Sequence, residues 1–121
     1  MSLKVLVADD EPNIVVSLEF MMKREGYEVL VARDGRQALE AIRRERPQLV
    51  LLDAMMPGMS GFDVCEAVRA DEAVRDTQIL MLTAKGRDTD VARGVGVGAD
   101  AYMTKPFSTR DLMQKVRDML A

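Results

Sequence analysis

Three carboxylates, one hydroxyl and one ammonium group each follow a short apolar run of the sequence. These residues are Asp9, Asp10, Asp53, Thr83 and Lys105. Carboxylate oxygens are ligands that Mg²⁺ prefers, particularly where the site also holds waters and a phosphate group. A carboxylate can also attack a phosphorus atom, while a nearby ammonium group offsets the negative charge of the phosphoryl oxygens. Brought together, these five side chains would form a site for phosphoryl transfer.

The apolar runs before these residues predict the strands of a parallel sheet. The predicted strands cover residues 4–8, 27–32, 48–52, 78–82 and 101–104. Stretches with helical spacing follow them, at residues 14–24, 36–46, from about 62 to 68, 87–95 and after Ser108. Ser108 and Asp111 resemble a capping box at the start of the last helix. Five strands, each followed by a helix, predict an α/β fold with a doubly wound five-stranded parallel sheet in a three-layer sandwich.

A sheet of this kind places its ligand site outside the carboxyl ends of the strands, where these polar residues occur. Two carboxylates about 4 Å apart repel each other by roughly 4 kcal/mol at an effective dielectric constant near 20. Lys105 supplies one positive charge against the three carboxylates. The sequence therefore predicts a bound divalent cation, for which Mg²⁺ suits the all-oxygen ligands.

Four groups of residues resemble the receiver domain of bacterial response regulators, the CheY-like superfamily. They are Asp9-Asp10-Glu11-Pro12, Leu51-Leu52-Asp53 with Met56-Pro57 and Gly61, Thr83-Ala84, and Gly98-Ala99-Asp100 with Lys105-Pro106-Phe107. They occur in the family's order and with similar spacing over essentially the whole chain. The resemblance implies a (βα)5 flavodoxin-like fold and a role in phosphorelay signal transduction.

The resemblance also implies a phospho-acceptor and a metal site. Asp53 matches the aspartate that takes the phosphoryl group. Asp10, Asp53 and the backbone carbonyl of Met55 match the Mg²⁺ ligands, and Asp9 supports the metal nearby or through water.

Two further matched positions imply a switch. Thr83 and Lys105 match the residues that contact the phosphoryl oxygens, and Tyr102 matches an aromatic switch residue. The Lys105-Pro106 bond matches one that is usually cis in the family. Phosphorylation would draw Thr83 inward, let Tyr102 turn, and change the face built from the predicted helix 87–95, the fifth strand and the last helix.

The implied phosphodonor is a histidine kinase or a phosphotransfer protein, and the implied receiver of the signal is a downstream target or an output domain. The chain contains no histidine, so it can accept a phosphoryl group from a phosphohistidine but cannot carry one. The resemblance implies a signalling switch that assists its own phosphorylation and dephosphorylation, and not an enzyme. We expect a monomer or a phosphorylation-dependent dimer.

Length and composition limit the other possibilities. The 121 residues predict a single domain over 1–121, with an output domain possible beyond Ala121. Acidic residues number 20 and basic residues 17, which argues against direct nucleic-acid binding by this domain. The apolar runs are too short to span a membrane, and the early acidic residues do not fit a secretory signal, so we expect a cytoplasmic protein.

Two alternatives remain open at this stage. A receiver-like module could serve only for protein contact, without being phosphorylated. A haloacid-dehalogenase-type phosphatase also uses an Asp nucleophile with Mg²⁺, but that family needs a second Asp two residues later, where this chain has Met55.

The same position bears on the lifetime of a phosphorylated form. Met55 and Lys85 lie two residues beyond Asp53 and Thr83, where the resemblance implies control of hydrolysis. Because a thioether is a poor hydrogen-bond partner for an attacking water, we predict a long-lived phosphorylated form.

Overall fold

The computed structural model describes residues 3–84 and 96–121. Its strands form one sheet in the order β2-β1-β3-β4-β5, and every neighbouring pair is parallel. They are β1 (Lys4–Ala8), β2 (Glu28–Ala32), β3 (Leu49–Asp53), β4 (Gln78–Ala84) and β5 (Ala101–Lys105). The helices are α1 (Pro12–Arg24), α2 (Gly35–Glu45), α3 (Gly61–Ala70) and the C-terminal helix (Thr109–Leu120). The predicted doubly wound α/β fold is confirmed, while the predicted helix 87–95 lies outside the described residues.

Helices cover both faces of the sheet, which gives the three predicted layers. On one face α2 and α3 pack against alternate strand residues, which include Leu6, Val50, Leu52, Ile79 and Met81. On the other face α1 and the C-terminal helix pack against the intervening residues, which include Val5, Val7, Leu49, Leu51 and Leu80. Because successive strand residues point to opposite faces, a strand covered on both sides must be apolar throughout. The central strand β3 is buried along its whole length for this reason.

Strands β3, β4 and β5 continue further than the apolar runs alone predict, whereas β1 and β2 end at the predicted residues. Asp53 is the last residue of β3, Lys105 is the last residue of β5, and Thr83 lies within β4. Backbone pairing explains the difference, because Asp53 pairs with Leu82 and Thr83 pairs with Thr104 in the parallel ladder. A polar side chain ends an apolar run but does not remove the backbone groups that form the sheet.

Side-chain caps fix the starts of the helices that follow β2 and β3. Asp34 accepts a hydrogen bond from the amide of Gln37 at the start of α2. Ser60 and Asp63 form a complete capping box at the start of α3, which the sequence analysis did not identify. Of the capping box predicted for the C-terminal helix, one hydrogen bond is present: the amide of Asp111 donates to Ser108 Oγ at 3.2 Å.

Asp100 joins the segment before β5 to the amino end of β4, the end of the sheet opposite the polar cluster. Its Oδ2 accepts hydrogen bonds from Arg69 and from the amide of Ile79, each at 2.7 Å. Arg69 also donates to the carbonyls of Gly98 and Thr77. The Gly98-Ala99-Asp100 motif thus has a structural role in joining α3, β4 and the entry to β5.

In the described part of the chain, no helix has both the length and the apolar character needed to cross a membrane.

Candidate functional site

Strands β1, β3 and β5 bring Asp9, Asp53 and Lys105 into direct contact at the carboxyl edge of the sheet. Lys105 Nζ donates to Asp9 Oδ2 at 2.8 Å and lies 3.3 Å from Asp53 Oδ1. The two carboxylates therefore share one ammonium group. In the sequence, Asp53 lies 44 residues after Asp9, and Lys105 lies 96 residues after it. The contact depends on the topology, which places β1 next to β3 at the centre of the sheet.

Asp9 is fully buried, and hydrogen bonds hold both its backbone amide and its carboxylate. Its amide donates to the carbonyl of Ala32 at 3.1 Å, and its Oδ1 accepts from the amide of Glu11 at 2.9 Å. A carboxylate that accepts from the amide two residues later forms an Asx-turn, which fixes its direction. The residue pattern Asp-Asp-Glu-Pro carries this turn signal, but no role for the Glu11 amide was predicted from it.

Asp53 is held in the same manner by the amide of Met55, which donates to Asp53 Oδ1 at 3.3 Å. Asp53 is only 7% exposed. Burial and the neighbouring charge of Asp9 together raise the pKa of Asp53 to about 7, against the opposing effect of Lys105 and the Met55 amide. The ionised form of this carboxyl is therefore under-compensated by the protein alone.

Lys105 remains a cation in this setting. Burial lowers the pKa of Lys105, but its contacts with Asp9 and Asp53 outweigh that effect and hold the pKa above its usual value. The Lys105-Pro106 peptide bond is cis, as the resemblance implied.

Asp10 completes a cluster of three carboxylates. One oxygen from each of Asp9, Asp10 and Asp53 can be chosen so that all three lie within 4.8 Å of one another. Asp9 and Asp53 are buried, whereas Asp10 is exposed. The donor set is entirely oxygen, and Lys105 offsets only one of three negative charges, so the residues fit a hard divalent cation such as Mg²⁺.

The loop between β3 and α3 is folded tightly under the cluster. The amide of Ala54 donates to the carbonyl of Leu82, and the amide of Gly61 donates to the carbonyl of Ala54, both at 2.9 Å. A Cβ on Gly61 would lie 2.1 Å from the carbonyl oxygen of Asp53, so only glycine fits there. This close approach explains why a glycine is found at position 61. Without a Cβ, the start of α3 can lie against the backbone of Asp53, which places Asp53 and Met55.

Among the described residues, Thr83 and Tyr102 make no hydrogen bond with the three carboxylates of the cluster. Thr83 is buried, and its hydroxyl lies 3.5 Å from the carbonyl of Met103, to which it donates. Tyr102 is half-buried and packs against the core on the α3 side of the sheet. Lys85 lies outside the described residues.

Comparison with known proteins gives a consistent result. The profile of the response regulator receiver domain matches residues 5–117. The DNA-binding response regulator MtrA of Mycolicibacterium smegmatis is 47% identical over 117 residues, which are 97% of this chain and 50% of that protein. The chain therefore spans about half the length of this curated relative.

Solved structures of similar chains share the whole fold. The chemotaxis protein CheY4 of Vibrio cholerae superposes with a TM-score of 0.91 at 34% identity, covering 98% of this chain and 99% of that one. The receiver domain of the sensor histidine kinase PA1611 of Pseudomonas aeruginosa gives a TM-score of 0.91 at 28% identity, over 99% and 98% of the two chains. That structure has a magnesium ion coordinated in its active-site cleft. With the profile matched from β1 into the C-terminal helix, the chain belongs to the response regulator receiver domain family of two-component signalling.

Proposed function

We propose that this receiver domain accepts a phosphoryl group on Asp53, in a Mg²⁺-dependent reaction with the phosphohistidine of a histidine kinase or phosphotransfer protein. One observation carries the proposal: Asp53 is a buried strand-end carboxylate that shares the ammonium group of Lys105 with Asp9, within a cluster of three carboxylates. Such a cluster attracts a divalent cation, and the cation and Lys105 together supply the positive charge that a phosphoryl group requires. Family membership gives no support to the phosphatase alternative.

In the proposed reaction a carboxylate oxygen of Asp53 attacks the phosphorus atom of the phosphohistidine. A P–O bond forms, the P–N bond breaks, and the imidazole of the donor leaves with the electron pair. Lys105, which lies 3.3 Å from Asp53 Oδ1, is placed to contact the transferred phosphoryl oxygens. The amide of Met55 holds the attacking carboxylate in one orientation.

The groups proposed to hold Mg²⁺ are Asp9, Asp10, Asp53 and the backbone carbonyl of Met55. When bound, Mg²⁺ offsets the negative charge of the carboxylates and of the phosphoryl oxygens. The raised pKa of Asp53 supports this assignment, because the protein alone leaves that carboxylate short of positive charge.

The proposed output is a change in the face that includes β5 and the C-terminal helix, together with the helix predicted from the sequence at 87–95, which lies outside the described residues. Thr83 would exchange its hydrogen bond to the Met103 carbonyl for one to the phosphoryl group. Because Met103 is next to Tyr102 in β5, this exchange would bias the position of the half-buried ring. Phosphorylation would then shift a pre-existing equilibrium between two arrangements of the face.

We further propose that residues 1–121 form a single receiver domain that acts in the cytoplasm through a downstream target or an output domain. The similarity to half of MtrA, a DNA-binding response regulator, supports an output domain of that class. The acidic balance of the chain, 20 acidic to 17 basic residues, supports a receiver that does not itself bind nucleic acid.

The test is incubation with acetyl phosphate, with and without Mg²⁺, followed by intact mass spectrometry. The expected result is one added phosphoryl group that depends on Mg²⁺ and is absent in Asp53→Asn. The matched control is Asp76→Asn, which changes an exposed carboxylate outside the cluster and should not affect uptake. Equal uptake by wild type and Asp53→Asn would contradict Asp53 as the acceptor, whereas no uptake by wild type would favour a module used only for protein contact.

A further inference from the structure

Met55 is the only exposed methionine in the part of the chain that the structure describes. It is 52% exposed. The other described methionines are buried or half-buried, and they are Met21, Met22, Met56, Met59, Met81, Met103, Met113 and Met119. An oxidant must reach the sulfur atom directly, so exposure decides which methionine is oxidised first.

The exposed thioether belongs to the residue that holds the proposed phospho-acceptor. The amide of Met55 donates to Asp53 Oδ1 at 3.3 Å, so the Met55 side chain leaves the backbone beside the Asp53 carboxylate. Met56, the next residue, is only 7% exposed and packs in the core. The loop therefore presents one methionine to solvent at the rim of the site and buries its neighbour.

We propose that Met55 is a site of reversible oxidation by peroxides, and that its sulfoxide shortens the lifetime of the phosphorylated domain. The effect on lifetime rests on the function proposed above. In the oxidation, the sulfur atom attacks one oxygen of hydrogen peroxide, the O–O bond breaks, and an S–O bond forms. The sulfur loses two electrons, and the peroxide is reduced to one molecule of water.

The change in hydrogen bonding gives the direction of the effect. A thioether sulfur is a weak acceptor, whereas a sulfoxide makes the side chain polar and adds an oxygen that accepts hydrogen bonds. Hydrolysis of an aspartyl phosphate requires a water that attacks the phosphorus atom, breaks its bond to Asp53 and releases inorganic phosphate. A sulfoxide oxygen beside Asp53 can hold and orient this water, so hydrolysis becomes faster.

The experiment first maps the oxidation and then measures the lifetime. The wild-type protein is treated with dilute hydrogen peroxide until about one oxygen is added per chain, and the modified residue is found by peptide mass spectrometry. The oxidised and untreated proteins are phosphorylated with acetyl phosphate, the donor is removed, and loss of the phosphoryl group is followed by intact mass. We expect Met55 to be oxidised before the other eight methionines that the structure describes, and the half-life to fall several-fold. Treatment with the two methionine sulfoxide reductases should restore the original half-life.

Two variants serve as matched controls, each compared with itself before and after peroxide. Met55→Leu has no sulfur at this position, so mild peroxide should leave its half-life unchanged. Met55→Gln carries a permanent polar acceptor, so its half-life should be short without peroxide and should not fall further.

Two outcomes would overturn the proposal: addition of an oxygen at another of the described methionines before Met55, or oxidation of Met55 with an unchanged half-life. Failure of the proposed function is a distinct result. In that case untreated wild type takes up no phosphoryl group, so there is no phosphorylated form whose lifetime could change. Peptide mass spectrometry would still show whether Met55 is oxidised first.

Discussion

Lys105 Nζ donates a hydrogen bond to Asp9 Oδ2 at 2.8 Å, which joins the last residue of β5 to the fully buried carboxylate that follows β1. The same ammonium group lies 3.3 Å from Asp53 Oδ1. Removing it would leave two buried carboxylates facing each other without a cation. The positive charge is therefore structural as well as chemical.

Lys105→Met should destabilise the metal-free protein by on the order of 3 kcal/mol at pH 8, because breaking a buried ion pair leaves an uncompensated charge. The measurement is urea unfolding in the presence of EDTA. Lys115→Met is the matched control, since Lys115 is an exposed lysine of the C-terminal helix. Its effect should stay within about 0.5 kcal/mol. Similar losses for the two variants would show that the buried contacts of Lys105 contribute nothing to stability.

Asp53→Asn should stabilise the metal-free protein at pH 8. Burial and the charge of Asp9 raise the pKa of Asp53 from 3.8 to about 7 in the folded state. Between these values the unfolded chain has lost the proton that the folded chain retains, so stability falls as the pH rises through this window and stays low above it. Asparagine removes this dependence, and the gain at pH 8 should be on the order of 3 kcal/mol.

The difference is measured by urea unfolding in EDTA at pH 5 and pH 8. The gain from Asp53→Asn should be smaller at pH 5 than at pH 8, because pH 5 lies in the lower part of the window. Asp76→Asn changes an exposed carboxylate, and its effect should not differ between the two pH values. A gain that is the same at both pH values would mean that Asp53 is already ionised across the window.

The fold could be predicted from sequence because its two main signals, the apolar runs and the Pro and Gly residues between elements, are local. The strands of a sheet covered on both faces are short apolar runs, as in the fully buried β3, and Pro and Gly separate them from the helices. The positions of Asp53 and Thr83 inside their strands were missed, since the backbone pairing of Asp53 with Leu82 is a relation between distant segments. The apolar pattern of one segment does not show which residue of another segment its backbone pairs with.

The site could be predicted as a set of residues but not as a set of contacts. Parallel topology places Asp9, Asp53 and Lys105 at one edge of the sheet, which is why the pattern was informative. The unequal sharing of Lys105, at 2.8 Å from Asp9 and 3.3 Å from Asp53, depends on side-chain packing and could not be predicted. The position of Thr83 against the Met103 carbonyl is of the same kind.

Gly61→Ala should destabilise the protein by about 2–3 kcal/mol, because the added methyl group would overlap the backbone and force the loop to move. Its Cβ would lie 2.1 Å from the carbonyl oxygen of Asp53 and 2.9 Å from the Cα of Ala54. The loop supports Asp53, so uptake from acetyl phosphate should slow as well. Gly96→Ala is the control, because nothing lies within 4 Å of its Cβ position. Equal unfolding curves for the two variants would contradict the tight packing of this loop.

The thiol of Cys65 should not react in the folded protein at pH 8. Burial raises the pKa of Cys65 to about 11, and its Sγ lies 3.4 Å from the carbonyl of Val97, to which it donates. Only the thiolate reacts with iodoacetamide, so labelling should be slow until urea unfolds the chain. Ser17→Cys introduces an exposed thiol on α1 and should label at once when folded. Labelling of Cys65 at the rate of that thiol would show that the α3 side of the core opens readily.

Substitutions of Asp9 and Asp10 should distinguish the structural role of the cluster from its metal-binding role. Asp10 is exposed, while Asp9 is buried against Lys105, yet both belong to the group whose oxygens lie within 4.8 Å. Asp10→Asn should lower Mg²⁺ affinity by about tenfold or more, as expected for loss of a ligand, with little effect on the metal-free protein. Asp9→Asn should weaken Mg²⁺ binding and also destabilise the metal-free protein, because Lys105 loses its shorter ion pair.

Calorimetric titration with Mg²⁺ gives the affinities, and urea unfolding in EDTA gives the stabilities. Glu66→Gln removes an exposed carboxylate from α3 and should leave both quantities unchanged. An Asp10→Asn variant that binds Mg²⁺ as tightly as wild type would remove Asp10 from the proposed metal site. The cation would then have to be held by the two buried carboxylates and the Met55 carbonyl. Lys105 would compete with it directly for Asp9, because Lys105 Nζ already contacts Asp9 Oδ2 at 2.8 Å.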